Sequence, residues 1–396
     1  MKILVLAWEF PPRIVGGIAR HVAELYPEIV KLDHDIHLIT VEFGSAPKYE
    51  KVDGIKVYRV PVTPHDNFLQ WVENMNHSME YQAQKLINNM GTFDLIHGHD
   101  WLVAQSAIAL KHQYKIPLVA TIHATEYGRH NGIHNQTQAH VFQQESNLVY
   151  NAWRVIVCSS YMRQEVHQIF HCPWDKIDVV YNGIRAEKKQ HPPYFDKQQF
   201  RRKYAADDEK IIYYVGRMTY EKGVQVLLNA APQILNTIQG KAKFIIIGGG
   251  DTTTMKTQAK TLGVWERCYF TGFMSEEELN KFQTIADCAV FPSLYEPFGI
   301  VALESFASKV PVVVSNSGGL PEVVQHNHTG ITTYANDHNS LAWGILQILQ
   351  NPEYAQKLVQ NAYQDLKDRF RWCDLAKQTE AVYTHILKER RLVTWE

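Results

Sequence analysis

The sequence has few cysteines, no long apolar run and no excess of charge of either sign. Its five cysteines are scattered, odd in number and form no CxxC pair, so we interpret them as reduced and mostly buried side chains. The longest apolar runs have the length of a strand, far below the roughly 20 residues of a membrane span. The N-terminus also lacks the basic region, apolar run and small-residue cleavage site of a signal peptide. We therefore expect a soluble, cytoplasmic protein without a membrane span.

The balance of charge limits the classes of binding partner that the protein can attract. Forty basic side chains stand against 41 acidic ones, so a general electrostatic attraction to nucleic acid or anionic lipid is not expected. Any anion that the protein binds must be met by local groups. The length of 396 residues exceeds the size at which a single core stops growing, which predicts two domains of about 200 residues each.

Short β-branched runs alternate with helical stretches along the chain. Most of the runs are nearly continuous in apolar residues, as in strands buried on both faces, and the segments between them suit helices packed on a parallel sheet. The predicted strands of the first half are 2–7, 35–41, 55–62, 93–99, 117–123, 154–160 and 177–183. Those of the second half lie within 210–217, 243–250, 268–273, 288–293 and 310–319.

A polar, basic segment at 185–204 interrupts this alternation. Its Pro192-Pro193 pair prevents an uninterrupted helix, so we place the domain linker there, with domains at 1–190 and 191–374. The closing segment, about 375–396, is amphipathic and could pack on either domain. Two successive open parallel sheets predict an interdomain cleft, with ligands bound beyond the carboxyl ends of the strands.

In the first half, glycines and histidines stand at the strand ends. Gly16 and Gly17 follow the first strand and precede a helix, so the backbone could approach an anion closely, although a plain turn with a helix cap is the alternative. His97 and His99 lie at the fourth strand. We expect them to point to opposite faces, which does not favour a metal site. His123, at the end of the fifth strand, would by itself be interpreted as a core histidine.

In the second half, charged side chains follow the strands. Arg217 and Lys222 lie just past a strand, where two cations suit a diphosphate, because Arg offers a bidentate fork and Lys a point charge. Two solvated surface cations are the alternative. Glu296 and Glu304 lie in the stretch "SLYEPFGIVALESFA", one in a loop and one inside the following helix, where each carboxylate could accept hydrogen bonds from sugar hydroxyls.

Together these motifs resemble those of the retaining family 4 glycosyltransferases. The stretch "YEPFGIVALES" is similar to the E-x7-E motif of that family. The other matching motifs, in chain order, are Gly16-Gly17, His99-Asp100-Trp101, "TIH" ending at His123, Arg217 with Lys222, and "SGGLPE" at Ser317–Glu322. The resemblance implies an α/β protein of GT-B fold, with two Rossmann-like domains and an interdomain cleft. It places the nucleotide sugar on the second domain, the acceptor on the first, and the final helix back on the first domain.

The resemblance also implies catalytic residues. Arg217 and Lys222 would bind the donor diphosphate and stabilise it as it departs. Glu296 would hold the transferred sugar beside the reacting carbon, Glu304 would bind the ribose, and His123 would contact the sugar near the anomeric centre. The implied reaction is transfer with retention through an oxocarbenium-like transition state, without a metal or other cofactor.

The resemblance also implies further residues that would contact the donor or the acceptor. Gly16 and Gly17 would face the donor, Phe273 its base, and Phe298 the donor as well, with backbone N–H groups supplied by Gly299 and Ile300. Phe273 could instead be a core aromatic. Asp100 would help to hold the acceptor or the donor glucose, and Arg129 and His130 would face the acceptor, although these two could be solvated side chains.

Within the family, the chain most resembles glycogen and starch synthases, which implies transfer of glucose from UDP-glucose or ADP-glucose to an α-glucan. Synthases that use ADP-glucose generally carry Lys two residues before the glycine pair, where this chain has Ile14, so UDP-glucose is at least as well supported. The alternatives are a sucrose-phosphate synthase, which uses UDP-glucose and fructose 6-phosphate, and a catalytically inactive nucleotide-sugar binder. The expected partners are therefore a nucleotide sugar and a sugar, sugar-phosphate or glucan acceptor, and not nucleic acid.

Overall fold

The computed structural model of this protein describes residues 1–189 and 195–395. They form two compact units, one made of residues 1–183 with the segment from residue 372 onward, the other of residues 184–371. Pro192 and Pro193, where the sequence predicts the linker, lie outside the described residues. The first unit is therefore built from two segments that are distant in the sequence.

The first unit contains a sheet of eight strands within the described ranges. The strands are β1 (Lys2–Leu6), β2 (Asp35–Val41), β3 (Tyr49–Val52), β4 (Ile55–Val60), β5 (Leu95–His99), β6 (Leu118–Ile122), β7 (Arg154–Val157) and β8 (Ile177–Val179). The helices before the chain leaves this unit are α1 (Gly17–Val30), α2 (Phe68–Met90), α3 (Ala104–Tyr114), α4 (Glu126–His130), α5 (Gln136–Asn151) and α6 (Ser160–Phe170). The strand order is β3-β4-β2-β1-β5-β6-β7-β8, and β3 alone runs antiparallel to its neighbour.

The second unit contains six parallel strands among its described residues. They are β9 (Lys210–Val215), β10 (Ala242–Ile247), β11 (Cys268–Gly272), β12 (Cys288–Phe291), β13 (Val312–Ser315) and β14 (Ile331–Thr333). The helices are α7 (Lys197–Arg201), α8 (Val224–Thr237), α9 (Thr253–Thr261), α10 (Glu276–Gln283), α11 (Ile300–Ala307), α12 (Leu320–Val323), α13 (His338–Gln350) and α14 (Pro352–Arg369). Short 3-10 turns in the two units cover Trp101–Val103, Trp174–Lys176, Ala186–Lys189, Tyr220–Lys222 and Trp265–Arg267.

Both sheets have the strand order of a doubly wound fold. In the second unit the order β11-β10-β9-β12-β13-β14 is the 3-2-1-4-5-6 order of Rossmann folds. The first sheet follows the same pattern around β1, with the antiparallel hairpin strand β3 added at one edge. The prediction of two Rossmann-like α/β domains is thus confirmed. In each sheet the order reverses once, between β1 and β5 in the first and between β9 and β12 in the second.

The final helix, α15 (Trp372–Arg390), belongs to the first unit. Its buried face joins the core formed by β1 and α1, and the residues that do so are Trp372, Leu375, Ala376, Val382, Tyr383 and Ile386. The indole N–H of Trp372 donates to Glu24 Oε2 at 2.6 Å, and Glu380 Oε1 lies 2.8 Å from His34 Nε2. Apolar packing and polar contacts therefore both hold this helix to the rest of the unit. Across the described part of the chain, the helices are too short or too polar to cross a membrane.

A buried tyrosine hydroxyl links strand and helices in the second unit. The fully buried Tyr213 on β9 places its hydroxyl 2.8 Å from Ser305 Oγ and 3.2 Å from Gln283 Nε2. We expect Tyr213→Phe to lower the free energy of unfolding by about 1–2 kcal/mol, because it leaves buried polar partners unsatisfied. Urea denaturation measures this change. Tyr269→Phe, at an exposed ring on β11, is the control and is expected to change stability by less than about 0.5 kcal/mol. Equal effects of the two variants would contradict the role of the hydroxyl.

Candidate active site

The reversal point of each sheet places loops with functional side chains at the carboxyl ends of adjacent strands. Open α/β sheets bind ligands at this position because the connections on either side of it leave in opposite directions. In the first unit, the loops follow β1 and β5, and the neighbouring β6 contributes a third. In the second unit, they follow β9 and β12, and β13 contributes a third. The residues singled out in the sequence fall mainly in these loops.

The glycine loop after β1 is organised by a buried carboxylate. Glu9 is almost fully buried, and its Oε2 accepts the backbone N–H groups of Val15 at 2.5 Å and Gly16 at 2.9 Å. Burial raises the pKa of Glu9, and these hydrogen bonds oppose the shift. The N–H of Gly16, which the sequence suggests for a bound anion, thus already holds an acceptor from within the protein.

The cation nearest to the glycine pair is enclosed by aromatic rings. The guanidinium carbon of Arg13 lies 5.2 Å from the ring centroid of Trp8, 5.5 Å from that of Trp71 and 5.8 Å from that of Phe43. Such contacts are favourable cation–π interactions. Ile14 beside it is 49% exposed. The position two residues before the glycine pair is therefore an apolar surface residue.

His97 and His99 lie on the same face of β5, and their rings stack with centroids 4.4 Å apart. The expectation that they point to opposite faces is wrong, because side chains two residues apart in a strand share one face. His123 follows β6, and its Nε2 lies 3.0 Å from His99 Nδ1. His21 reaches the same place from α1, with its ring centroid 4.8 Å from that of His123. We call these four residues the histidine cluster.

Hydrogen bonds fix the orientation of the inner rings of the histidine cluster. The hydroxyl of Tyr26 lies 2.8 Å from His97 Nδ1 and 2.7 Å from His99 Nε2. Tyr383, on α15, adds its hydroxyl 2.6 Å from His97 Nδ1, while His97 Nε2 lies 2.7 Å from Thr121 Oγ1. The chain of polar contacts therefore runs from the final helix to His123.

Burial lowers the pKa of all four imidazoles and so favours their neutral forms. Burial, with a smaller contribution from the neighbouring His123, lowers the pKa of His21 to about 3, and burial together with the positive charge of Arg129 lowers the pKa of His123 to about 3. Burial also lowers the pKa of His97 and His99 well below the ordinary value. His123 therefore offers a neutral hydrogen-bonding ring to a ligand, and not a cation.

Asp100 supports the loop that carries His123. It is buried, and its Oδ1 accepts the backbone N–H of His123 at 2.7 Å. Burial raises the pKa of Asp100 to about 6, while Arg129 acts in the opposite direction. Arg129 and His130 lie on the short helix α4, where His130 Nε2 is 3.3 Å from Glu126 Oε1. The three residues predicted to face the acceptor thus occupy the loops after β5 and β6.

In the second unit, the predicted phosphate-binding lysine meets the predicted sugar-binding glutamate. Lys222 Nζ lies 2.9 Å from Glu296 Oε2, and the lysine side chain is only 19% exposed. Arg217 is 50% exposed and its guanidinium lies 3.2 Å from Glu221 Oε1. Lys222 is therefore held in one position beside a carboxylate, whereas the guanidinium of Arg217 extends toward solvent.

Glycines allow the loops of the second unit to touch backbone to backbone. Gly223 has φ +74°, and a Cβ there would lie 1.9 Å from the carbonyl oxygen of Pro292. Gly318 has φ +59°, and its Cβ would lie 2.0 Å from the carbonyl oxygen of Glu296. Gly319 N–H donates to that same oxygen at 2.8 Å. The loops after β9, β12 and β13 are thus in close backbone contact around Glu296.

The remaining predicted donor contacts lie around α11, with one exception. Gly299, with φ +110°, is the N-cap residue of α11, and Ile300 is the first residue of the helix. Phe298 and Glu304 are both buried. Phe273 follows β11 and is 80% exposed, so it is not a core aromatic.

Three polar residues of the first-unit site are not among the predicted ones: Glu9, His21 and Asn182. His21 Nδ1 lies 2.7 Å from Asn182 Oδ1, across 161 positions of the sequence. A carboxylate directly after the first strand is a weak sequence signal for Glu9. His21 and Asn182 carry no such signal, because their pairing depends on the tertiary fold.

Comparison with known proteins gives the family. Residues 15–188 match the family described as Glycosyltransferase Family 4, and residues 196–365 match Glycosyl transferases group 1. The chain is 40% identical over 386 residues to an uncharacterised glycosyltransferase of Methanocaldococcus jannaschii, covering 97% of this chain and 98% of that one. It is 34% identical over 400 residues to a glycogen synthase of Mycobacterium tuberculosis, covering 97% and 94%.

Solved structures show the same architecture. A sucrose-phosphate synthase from Thermosynechococcus elongatus has a TM-score of 0.83 at 22% identity, covering 98% of this chain and 99% of that one. The Anabaena protein HepE, in complex with UDP-glucose, has a TM-score of 0.79 at 20% identity, covering 97% and 100%. At these identities the likeness defines the fold class, GT-B. With the sequence relatives added, the chain belongs to the family 4 glycosyltransferases.

Proposed function

We propose that the protein is a retaining glucosyltransferase that moves glucose from UDP-glucose or ADP-glucose to an α-glucan in the cytoplasm. The observation that carries this proposal is the pairing of Lys222 with Glu296, at 2.9 Å, where the strand order of the second sheet reverses. The shared identity with a glycogen synthase over nearly the whole chain favours the glucan as acceptor.

In this proposal the donor diphosphate binds to Arg217 and Lys222. The exposed guanidinium of Arg217 can close on a phosphate as a bidentate fork, while Lys222 supplies a fixed point charge. Glu296 keeps Lys222 in place and accepts hydrogen bonds from hydroxyls of the transferred glucose. The N–H groups at Gly299 and Ile300, where α11 begins, complete the donor contacts, and Glu304 accepts from the ribose. The exposed ring of Phe273 is available to stack on the base, and the buried Phe298 directly precedes the donor-binding backbone at Gly299.

The proposed reaction breaks the bond between the anomeric carbon and the diphosphate oxygen. The acceptor hydroxyl forms the new bond on the same face, and its proton passes to the departing phosphate oxygen. Negative charge grows on the diphosphate as the sugar becomes oxocarbenium-like, so Lys222 and Arg217 stabilise the transition state more than the ground state. The neutral ring of His123 contacts the sugar near the anomeric centre. No metal or other cofactor takes part in this scheme.

The acceptor is proposed to bind in the loops after β5 and β6. Asp100 shapes this region through its hydrogen bond to the backbone of His123. Arg129 and His130 offer polar groups to hydroxyls of a glucan, and the same side chains would meet a phosphate if the acceptor were a sugar phosphate.

A matrix of donors and acceptors tests the proposal. UDP-glucose and ADP-glucose are each combined with glycogen or fructose 6-phosphate, nucleoside diphosphate release is followed, and proton NMR reads the anomeric configuration of the product. We expect turnover with glycogen and an α-linked product, with UDP-glucose used at least as well as ADP-glucose because of Ile14. Reactions without acceptor are the control and report slow release of glucose from the donor.

Other patterns would overturn the proposal. Turnover with fructose 6-phosphate alone would assign sucrose-phosphate synthesis. A β-linked product would exclude retention. Binding of UDP without any nucleotide release, even over long incubation without acceptor, would identify an inactive nucleotide-sugar binder.

A further inference from the structure

Three members of the histidine cluster place their ring nitrogens close together in the first unit. His21, His99 and His123 each place a ring nitrogen within 4.8 Å of the ring nitrogens of the other two. Ligand nitrogens of a tetrahedral Zn²⁺ site, with bonds of 2.0–2.1 Å, lie about 3.3 Å apart. His99 Nδ1 lies 3.0 Å from His123 Nε2, in a hydrogen-bond contact that a bound ion would replace. The three nitrogens therefore lie close to the spacing that a zinc site requires.

His21 has one ring nitrogen without a partner. Its Nε2 is buried and has no hydrogen-bond partner among the described residues, whereas its Nδ1 is engaged by Asn182 Oδ1 at 2.7 Å. An amide oxygen can only accept, so Asn182 fixes the tautomer with hydrogen on Nδ1. The lone pair of Nε2 is then left for a ligand. A buried polar atom without a partner destabilises the folded protein, so its presence calls for an explanation.

The surrounding hydrogen bonds have the pattern of a metal site. Histidines that bind metal usually donate their second ring N–H to an acceptor, which orients the ring and raises its basicity. Asn182 does this for His21, and the hydroxyl of Tyr26, 2.7 Å from His99 Nε2, can do it for His99. Tyr26 can accept from His99 because its own hydrogen can be donated to His97 Nδ1, 2.8 Å away. The network thus permits the tautomer that frees His99 Nδ1.

We propose that His21 Nε2, His99 Nδ1 and His123 Nε2 bind a transition-metal ion of the Zn²⁺ class. Three neutral imidazoles suit Zn²⁺, Cu²⁺, Ni²⁺ or Co²⁺, whereas Mg²⁺ and Ca²⁺ prefer oxygen ligands. Three protein nitrogens also leave a fourth position for water or another small ligand. His123 is the least buried of the three, so an ion can enter from its side.

Metal binding would inhibit the enzyme, and this part of the inference rests on the proposed function. A ring of His123 held by an ion can no longer contact the transferred sugar. The ion would therefore compete with the nucleotide sugar and would not assist the reaction. Inhibition by Zn²⁺ should be relieved by EDTA and by high donor concentration.

The test is a titration of metal-free full-length protein with Zn²⁺ by calorimetry, with Co²⁺ as a spectroscopic probe. We expect a single ion per chain, the intense visible bands of four-coordinate Co²⁺, and no binding of Mg²⁺. His21→Gln should weaken Zn²⁺ binding by at least about 100-fold, and Asn182→Leu by about 10- to 100-fold. The matched control is His37→Gln, a fully buried histidine on β2 that lies outside the histidine cluster and contacts Asp35 and Tyr58. It should change the affinity by less than about threefold.

Each outcome decides the proposal. Absence of a one-to-one Zn²⁺ complex in the wild-type protein overturns it, as does unchanged affinity in both His21→Gln and Asn182→Leu. Circular dichroism identifies a variant that fails to fold, and the other variant then carries the test. Binding without inhibition would refute the proposed position of His123 and leave the metal site intact. Binding by a protein without transferase activity would refute the proposed function alone.

Discussion

Lys222→Ala is expected to lower the turnover number for glucosyl transfer by about 10²- to 10³-fold, the loss usual when one preorganised charge is removed from a developing oxyanion. Lys222 is largely buried and is held by Glu296 at 2.9 Å, so water cannot replace its charge at the same position. Steady-state kinetics with varied UDP-glucose and saturating glycogen measures kcat and KM separately. The fall should appear in kcat and in kcat/KM alike, because the interaction strengthens as the diphosphate departs.

Lys281→Ala is the control for this variant. Lys281 forms a 2.6 Å ion pair with Glu277 on α10 and is also mostly covered, at 25% exposure, but it lies away from the loops after β9 and β12. Its replacement should leave kcat within about twofold, since pairs one helical turn apart contribute only about 0.3–0.5 kcal/mol to stability. A Lys222→Ala enzyme with raised KM and unchanged kcat would show that Lys222 acts only in donor binding. Our account of the transition state would then be wrong.

Gly223→Ala is expected to destabilise the second unit by more than about 4 kcal/mol, a loss reserved for strained or overpacked sites. The added methyl carbon would stand 1.9 Å from the carbonyl oxygen of Pro292, and backbone cannot yield as a flexible side chain does. The loops after β9 and β12 must then separate, which displaces Lys222 from Glu296. Transferase activity should fall with stability. Thermal and urea unfolding followed by circular dichroism, together with kcat at low temperature, measure both effects.

Substitutions at two other glycines distinguish the two causes of the lost stability, backbone strain and steric collision. Gly263 has φ +70° with open space around its Cβ position, so Gly263→Ala introduces the backbone strain without the collision. We expect it to cost about 1–2 kcal/mol. Gly249 has neither positive φ nor a close neighbour, so Gly249→Ala should be nearly neutral. Comparable destabilisation by Gly223→Ala and Gly263→Ala would show that the loops can move apart easily.

Most of the strands that sequence patterns predicted are buried on both faces, although β11, which carries the exposed ring of Tyr269, is not. The predicted strand at 35–41 coincides with β2, and the other long apolar runs each contain one strand of the structure. Strands β3 and β14 were not predicted. β3 is "YEKV", an exposed edge strand rich in charge, and β14 is only three residues long. Neither offers the continuous apolar run by which a central parallel strand is recognised.

The sequence places several candidate residues at strand ends but does not predict which of them contact each other. Strand ends and family motifs pointed separately to Lys222 and Glu296, but the two lie 74 positions apart, and no local pattern predicts that they meet. The faces of His97 and His99 could have been derived correctly from strand periodicity alone. By contrast, the position of Glu9 against Val15 and Gly16 depends on the path of the glycine loop, which composition and spacing do not determine.

The place of α15 in the first unit has a consequence for synthesis on the ribosome. The core around β1 and α1 includes Trp372, Tyr383 and Ile386, which emerge only after every residue of the second unit has been made. The second unit is continuous in the sequence and can close its core while the chain is still growing. The unit that is translated first is therefore the last to be completed. Until translation reaches the final helix, its unfinished apolar face is exposed, and during that interval the nascent chain is most open to chaperones and to aggregation.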